Sequence, residues 1–134
     1  MVIRLPLLIG PGQDNQVVNK LIKKLKKNET IYVSKDVMTT PLITIIFIKF
    51  FFKKILKSYL MDKKILHVTS FKLLSTYQII LIFSEILRSQ SKIIPVKEIF
   101  FNNDFIKPKN LGIDTIHKEC KLNFSKFELK KIKW

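Results

Sequence analysis

Alanine is absent from this chain, and arginine occurs only as Arg4 and Arg88. Glycine is confined to Gly10, Gly12 and Gly112, a spacing that makes no glycine-rich phosphate cradle. The single cysteine, Cys120, excludes an internal disulfide and fits a reducing cytoplasm. No secretory signal is evident, because Pro6, Gly10 and Gly12 interrupt the first apolar stretch and no small-residue cleavage site follows. A bilayer crossing needs about twenty apolar residues. The strongest candidate, 41–52, is shorter, contains Lys49 and stops at Lys53-Lys54, so it reads as a buried or interfacial helix.

What is present is apolar and basic. A hydrophobic share of 47% excludes intrinsic disorder, and 134 residues make one domain that buries roughly two-thirds of its unfolded surface. The net charge of +15 would ordinarily suggest a polyanionic partner. Lysine, isoleucine, phenylalanine and asparagine are all abundant, however, which is the profile of an AT-rich genome. The lysines are therefore read as solvated positions, and nucleic acid as a disfavoured partner.

The opening run Val2-Ile3-Arg4-Leu5-Pro6-Leu7-Leu8-Ile9 is apolar on both alternating faces, as a strand covered above and below in a parallel sheet must be. No earlier strand is present in the sequence to flank it. It reads as an orphan strand of a sheet whose other members lie elsewhere, with an unpaired edge and poor solubility expected. A helix follows over 16–27, capped by Asp14-Asn15, with Val17, Val18, Leu21, Ile22 and Leu25 along one stripe. Strands are expected at 30–34, 65–70 and 93–96. Thr40 with Pro41 is expected to open a second helix reaching Leu60, and Ser75 to cap a third over 76–88. A polar loop spans 102–110. Asp114 or Thr115 then caps a short helix, and Ser125 caps a last one running toward Trp134. The alternation of strand and helix is α/β.

Four stretches carry a resemblance. Residues 3–10 resemble an apolar strand with an Arg that ends in Tyr-Gly or Ile-Gly. Asp36-Val37-Met38-Thr39-Thr40-Pro41 resembles an Asp-Gln-x-Gly-Ser-Pro-Thr loop. Leu66-His67-Val68-Thr69-Ser70 is similar to a Tyr-His-Val-Ser-Gly strand. Residues 107–115 resemble an Arg-Pro-x-Asn-x-x-Leu-Asp-Thr segment. In order and spacing these resemble the C-terminal, substrate-binding part of an extended short-chain dehydrogenase of the dTDP-4-dehydrorhamnose reductase type, within the sugar-nucleotide epimerases and reductases. Val37 stands where that family has Gln, Leu42 where Thr is common, and the glycines of the second and third stretches are missing.

The resemblance implies an α/β unit truncated relative to a Rossmann-type dehydrogenase. On this reading 1–12 is the last strand region of an absent cofactor domain and 13–134 is the substrate-binding portion. It implies an oxidoreductase of polysaccharide biosynthesis, bound to a nucleotide-diphosphate sugar and completed by a missing N-terminal half or partner subunit. No cofactor is expected on this chain alone, because NAD(P) sits on a Gly-x-x-Gly-x-x-Gly turn, and glycines spaced as Gly10, Gly12 and Gly112 cannot make it. The family's acid is a Tyr four residues before a Lys. Tyr59 and Lys63 match that spacing, but they follow the strand that such a pair should precede, so no catalytic residue is assigned.

Alignment with the family's motifs makes Arg4, Thr40, Lys107 and Asn110 the substrate-binding candidates. Each has a plain alternative. Arg4 could pair with an acid at a sheet end, Thr40 could only cap its helix, and Asn110 could be only a loop residue. Lys107 keeps the charge of the family's arginine but not its bidentate fork. His67 reads as a core or half-buried histidine, His117 has no partner cluster and Cys120 reads as a structural thiol, so no metal site is expected. Two other classes stay open: a basic nucleic-acid-binding module and a membrane-surface protein using residues 41–60.

Overall fold

The computed structural model describes residues 1–12, 16–101 and 108–134. The Asp14-Asn15 cap, Lys107 and most of the expected polar loop lie outside the described residues.

The opening run forms two short strands, β1 (Val2–Arg4) and β2 (Leu8–Ile9), because Pro6 between them has no amide to continue a ladder. Neither is left without a partner, contrary to the expected unpaired strand. β1 pairs in parallel with β6 (Ile65–His67), Val2 opposite Ile65 and Arg4 opposite His67. β2 pairs in parallel with β5 (Leu42–Ile43). Each has a second edge with no strand on it among the described residues. Covering is incomplete as well: Ile9 is buried, whereas Val2 and Ile65 are more than half exposed on one face of their pair.

Three helices follow their sequence patterns closely. α1 (Val17–Lys26) buries Val18, Asn19, Ile22 and Leu25 and turns its lysines to solvent. Asn28 ends it in the left-handed region at φ 55°. α3 (Thr76–Leu87) starts at a reciprocal capping box, in which Ser75 Oγ accepts from the Gln78 amide while Gln78 Oε1 accepts from the Ser75 amide. α4 (Lys126–Lys130) is capped by Ser125, though it stops short of Trp134.

Other expectations need correction. The helix placed over 41–60 is α2 (Thr44–Lys53), followed by two 3-10 turns at Ile55–Lys57 and Tyr59–Asp62. Thr40 does not cap it. Leu42 donates its amide to the Leu7 carbonyl at 2.8 Å, so sheet pairing holds 42–43 extended and delays the helix. Of the two expected readings of α2, buried or interfacial, the buried one is not met: none of its residues is fully buried, and Ile45, Ile48 and Phe52 form an exposed apolar stripe on a helix too short to cross a membrane. The expected strand at 65–70 breaks at Val68 into β6 and β7 (Thr69–Ser70). The helix expected after Asp114 is only a 3-10 turn at Lys118–Cys120, and neither Asp114 nor Thr115 caps it.

The remaining strands are β3 (Ile31–Ser34), β4 (Met38–Thr39), β8 (Leu74–Ser75), β9 (Ile93–Val96) and β10 (Lys121–Leu122). β3 pairs in parallel with β9 over four residues and β10 with β7, while β4–β8 is antiparallel. Two apolar clusters hold these layers. The larger joins α1, α3, β3 and α4 through Leu25, Ile31, Ile79, Phe83 and Leu129. The smaller gathers Leu42, Ile55, Leu60, Leu66, Val68 and Cys120 beneath α2 and β6.

Candidate functional site

A cavity of about 670 Å³ opens beyond the carboxyl ends of β1, β3 and β9 and beside the first turns of α1 and α3. Open α/β sheets take their ligands at that end of the strands, where backbone and helix amides converge. The lining is mainly apolar, with Leu5, Val17, Leu21, Val37 and Leu111 prominent. Ser34, Thr39, Thr76 and Glu98 add polar groups, and no lysine or arginine lines it among the described residues.

Asp36 holds one wall in place. Its Oδ1 accepts from the Glu98 amide at 2.8 Å and from Ser34 Oγ at 3.2 Å, tying the end of β3 to the 3-10 turn Glu98–Phe101 after β9. The Glu98 amide is the main reason this carboxyl lies below its ordinary value of 3.8; partial burial opposes the shift and the Ser34 hydroxyl adds to it. The anchor is therefore complete above the ordinary carboxylate range and weakens as pH falls through the lowered value.

Of the candidate residues named from sequence, Arg4, Thr40 and Asn110 lie around this cavity without lining it, and Lys107 is outside the described residues. Arg4, next to the lining residue Leu5, is exposed, and no carboxylate pairs with it among the described residues. Thr40 Oγ1 accepts from the Ile113 amide at 3.1 Å and donates to the Ile113 carbonyl at 3.3 Å. Thr69 Oγ1 donates to that same carbonyl at 2.7 Å. Asn110 bridges in parallel to Met38, and its Oδ1 accepts from the Gly112 amide at 2.8 Å. Thr40 and Asn110 thus tie residues 110–113 to β4, which places Leu111 and Ile113 in the cavity wall.

Tyr59 and Lys63 are not arranged as an acid and its activator. Tyr59 donates its hydroxyl to the Glu119 carboxylate, which raises the phenol above its ordinary value of 10.0, the opposite of what an activated acid requires. Lys63 Nζ lies over the ring, 5.6 Å from its centroid. His67 is half-buried, and its Nδ1 donates to the Asp114 carbonyl at 3.1 Å. A group of three or more His, Cys, Asp or Glu side chains able to hold a metal is absent among the described residues.

Cys120 is fully buried, and burial pushes its thiol up to about 11, with Glu119 adding to the shift. At pH 8 the native protein should therefore resist a thiol-specific disulfide reagent and react fully once unfolded in denaturant. Rapid labelling of the folded chain would contradict the structural role.

The described residues around Gly10 and Gly12 do not fit a dinucleotide. A Cβ on Gly10 would lie 2.7 Å from Thr44 Oγ1, so that glycine serves a close approach between β2 and α2. Its carbonyl accepts from Asn19 Nδ2 at 2.9 Å. Gly12 takes φ +82° with open space around it, and Pro11 between them lacks an amide. Among the described residues this strand-to-helix turn offers no cradle for a pyrophosphate.

The fold is α/β with parallel strand pairs, and it is similar to about half of each of several solved Rossmann-type reductases. The solved structures it resembles are dTDP-4-dehydrorhamnose reductases. With that of Yersinia enterocolitica it shares 24% identity at a TM-score of 0.79, covering 97% of this chain and 47% of that chain. With that of Clostridium acetobutylicum the values are 20% and 0.78, covering 97% and 46%. With that of Bacillus anthracis, solved in complex with NADP, they are 20% and 0.72, covering 84% and 39%. No protein-family model and no curated protein matches the chain.

The cavity lining escaped sequence reasoning, being assembled from residues between Leu5 and Ile113. One signal was available. Tyr32 stands between Ile31 and Val33 in a strand of period two, so if those two face the core the tyrosine faces outward.

Proposed function

We propose that this chain is the nucleotide-sugar-binding half of a reductase resembling the dTDP-4-dehydrorhamnose reductases, and that it is catalytically incomplete by itself. The observation that carries this reading is the apolar cavity at the carboxyl ends of parallel strands, in a fold that matches about half of those reductases. The cavity has the size and lining of a site for a nucleoside, with polar groups few enough to orient it. Arg4 is the exposed cation beside it and the candidate for the diphosphate. Thr40 and Asn110 contribute by holding the wall, and Lys107, outside the described residues, is carried over from the family motif as a further cationic candidate.

The NAD(P)-binding part belongs to another polypeptide or to a longer form of the protein. Three features support an absent complement: the second edges of β1 and β2, strandless among the described residues, the exposed Val2 and Ile65, and the apolar stripe on α2. Parallel sheets are stable when both faces are covered.

The test is a titration of the chain with thymidine diphosphate, followed by amide chemical shifts. Shifts should concentrate on Leu5, Leu21, Tyr32 and Leu111, and Leu21→Trp, which fills the cavity, should weaken binding at least tenfold while circular dichroism stays native. Saturable binding untouched by Leu21→Trp, or no binding, would remove this reading.

A further inference from the structure

Three aromatic side chains are packed together at the cavity wall, and none is buried. The ring of Tyr32 on β3 stacks on Phe100, with centroids 5.3 Å apart and planes at 25°. Phe100 in turn meets Phe101 edge-on, at 5.6 Å and 86°. Their exposures are 47%, 56% and 41%, although residues this apolar usually lie inside. Tyr32 is far in sequence from the neighbouring pair Phe100 and Phe101, and meets them because β3 pairs with β9 and Asp36 holds the turn that follows β9. Tyr32 and Phe101 both line the cavity, whereas Phe100 backs Tyr32 from outside it.

A solvated aromatic cluster is a costly surface that calls for a flat, apolar-faced ligand. The rings are already ordered against one another, so a planar group entering the cavity extends an existing stack. Little side-chain freedom is lost when it binds. We propose that Tyr32, backed by Phe100, is the platform on which the nucleobase of a nucleoside diphosphate stacks, and that it fixes the end of the cavity from which the diphosphate extends. This rests on the nucleotide-sugar reading above and adds the residue that recognises the base. The contact is made by the ring face, so the phenol hydroxyl is not required.

The experiment uses the whole chain, with thymidine diphosphate and inorganic pyrophosphate as probes in separate calorimetric titrations. Base–aromatic stacking is strong enough that Tyr32→Ala should weaken thymidine diphosphate binding roughly tenfold or more. Tyr32→Phe should keep wild-type affinity, and any pyrophosphate affinity should be the same in all three proteins. Circular dichroism confirms that each variant is folded. If Tyr32→Ala binds thymidine diphosphate as wild type does while Leu21→Trp does not, the platform is wrong and the cavity assignment survives. Equal losses in Tyr32→Ala and Tyr32→Phe would show a hydroxyl contact and overturn the stack. Parallel loss of pyrophosphate binding would show that the substitution acts through the phosphates, and it would overturn the stack as well. Absence of thymidine diphosphate binding by wild type would overturn both this proposal and the reading beneath it.

Discussion

Phe83→Ala should destabilise the chain by about 3–5 kcal/mol, the usual cost of removing a buried phenylalanine. Phe83 on α3 is fully buried at the centre of the larger apolar cluster. Its ring meets the Trp134 indole edge-on, with centroids 4.7 Å apart, and Trp134 Nε1 donates to the Leu129 carbonyl at 2.9 Å. One side chain thus holds α3 against the C-terminal segment. Domains of this size are stable by about 5–15 kcal/mol, so the loss is a large fraction of the whole. Trp134 is the single tryptophan, so its fluorescence reports this contact directly during urea unfolding. A change below about 1 kcal/mol would mean that the helix and the C-terminus are not packed as described.

Gly10→Ala is the second large effect, and it acts by crowding. The added Cβ would lie 2.7 Å from Thr44 Oγ1 and 2.9 Å from Thr44 Cβ, so β2 and the start of α2 must move apart. Overpacking of this kind costs about 1–3 kcal/mol. The three nearest atoms all belong to the Thr44 side chain, which makes the cause separable. Thr44→Gly carries its own helix cost of about 1 kcal/mol, yet the double variant should be more stable than the sum of the single changes predicts. Strict additivity in denaturant unfolding would show that Gly10 is required for some other reason.

The parts of the fold that were legible in the sequence are those decided locally. Ser75 and Gln78 satisfy each other's amides within four residues, and α1 advertises its buried stripe through Val18, Ile22 and Leu25. Thr40-Pro41 shows the limit. As a dipeptide it suits a helix start, but the partner that decides its conformation lies at Leu7 and Leu8, and the hydroxyl that would cap a helix is used on Ile113. Long-range pairing outweighed local preference there.

The same division governs the site. Arg4, Thr40 and Asn110 were singled out because short stretches around them resemble a known family, and none of the three lines the cavity. Two of the three turn out to brace the wall through contacts that span up to 73 residues, which no local pattern states. The aromatic cluster was hidden for a related reason: Tyr32 and Phe100 become neighbours only through the register of β3 on β9.

Calorimetric titration of the isolated chain with thymidine diphosphate and with NADPH, side by side, tests the central claim most directly. The account predicts saturable binding of the first and none of the second, since the cavity is present and the Gly10-Pro11-Gly12 turn cannot cradle a pyrophosphate. Tight NADPH binding, or reduction of a keto-sugar nucleotide by this chain unaided, would contradict it.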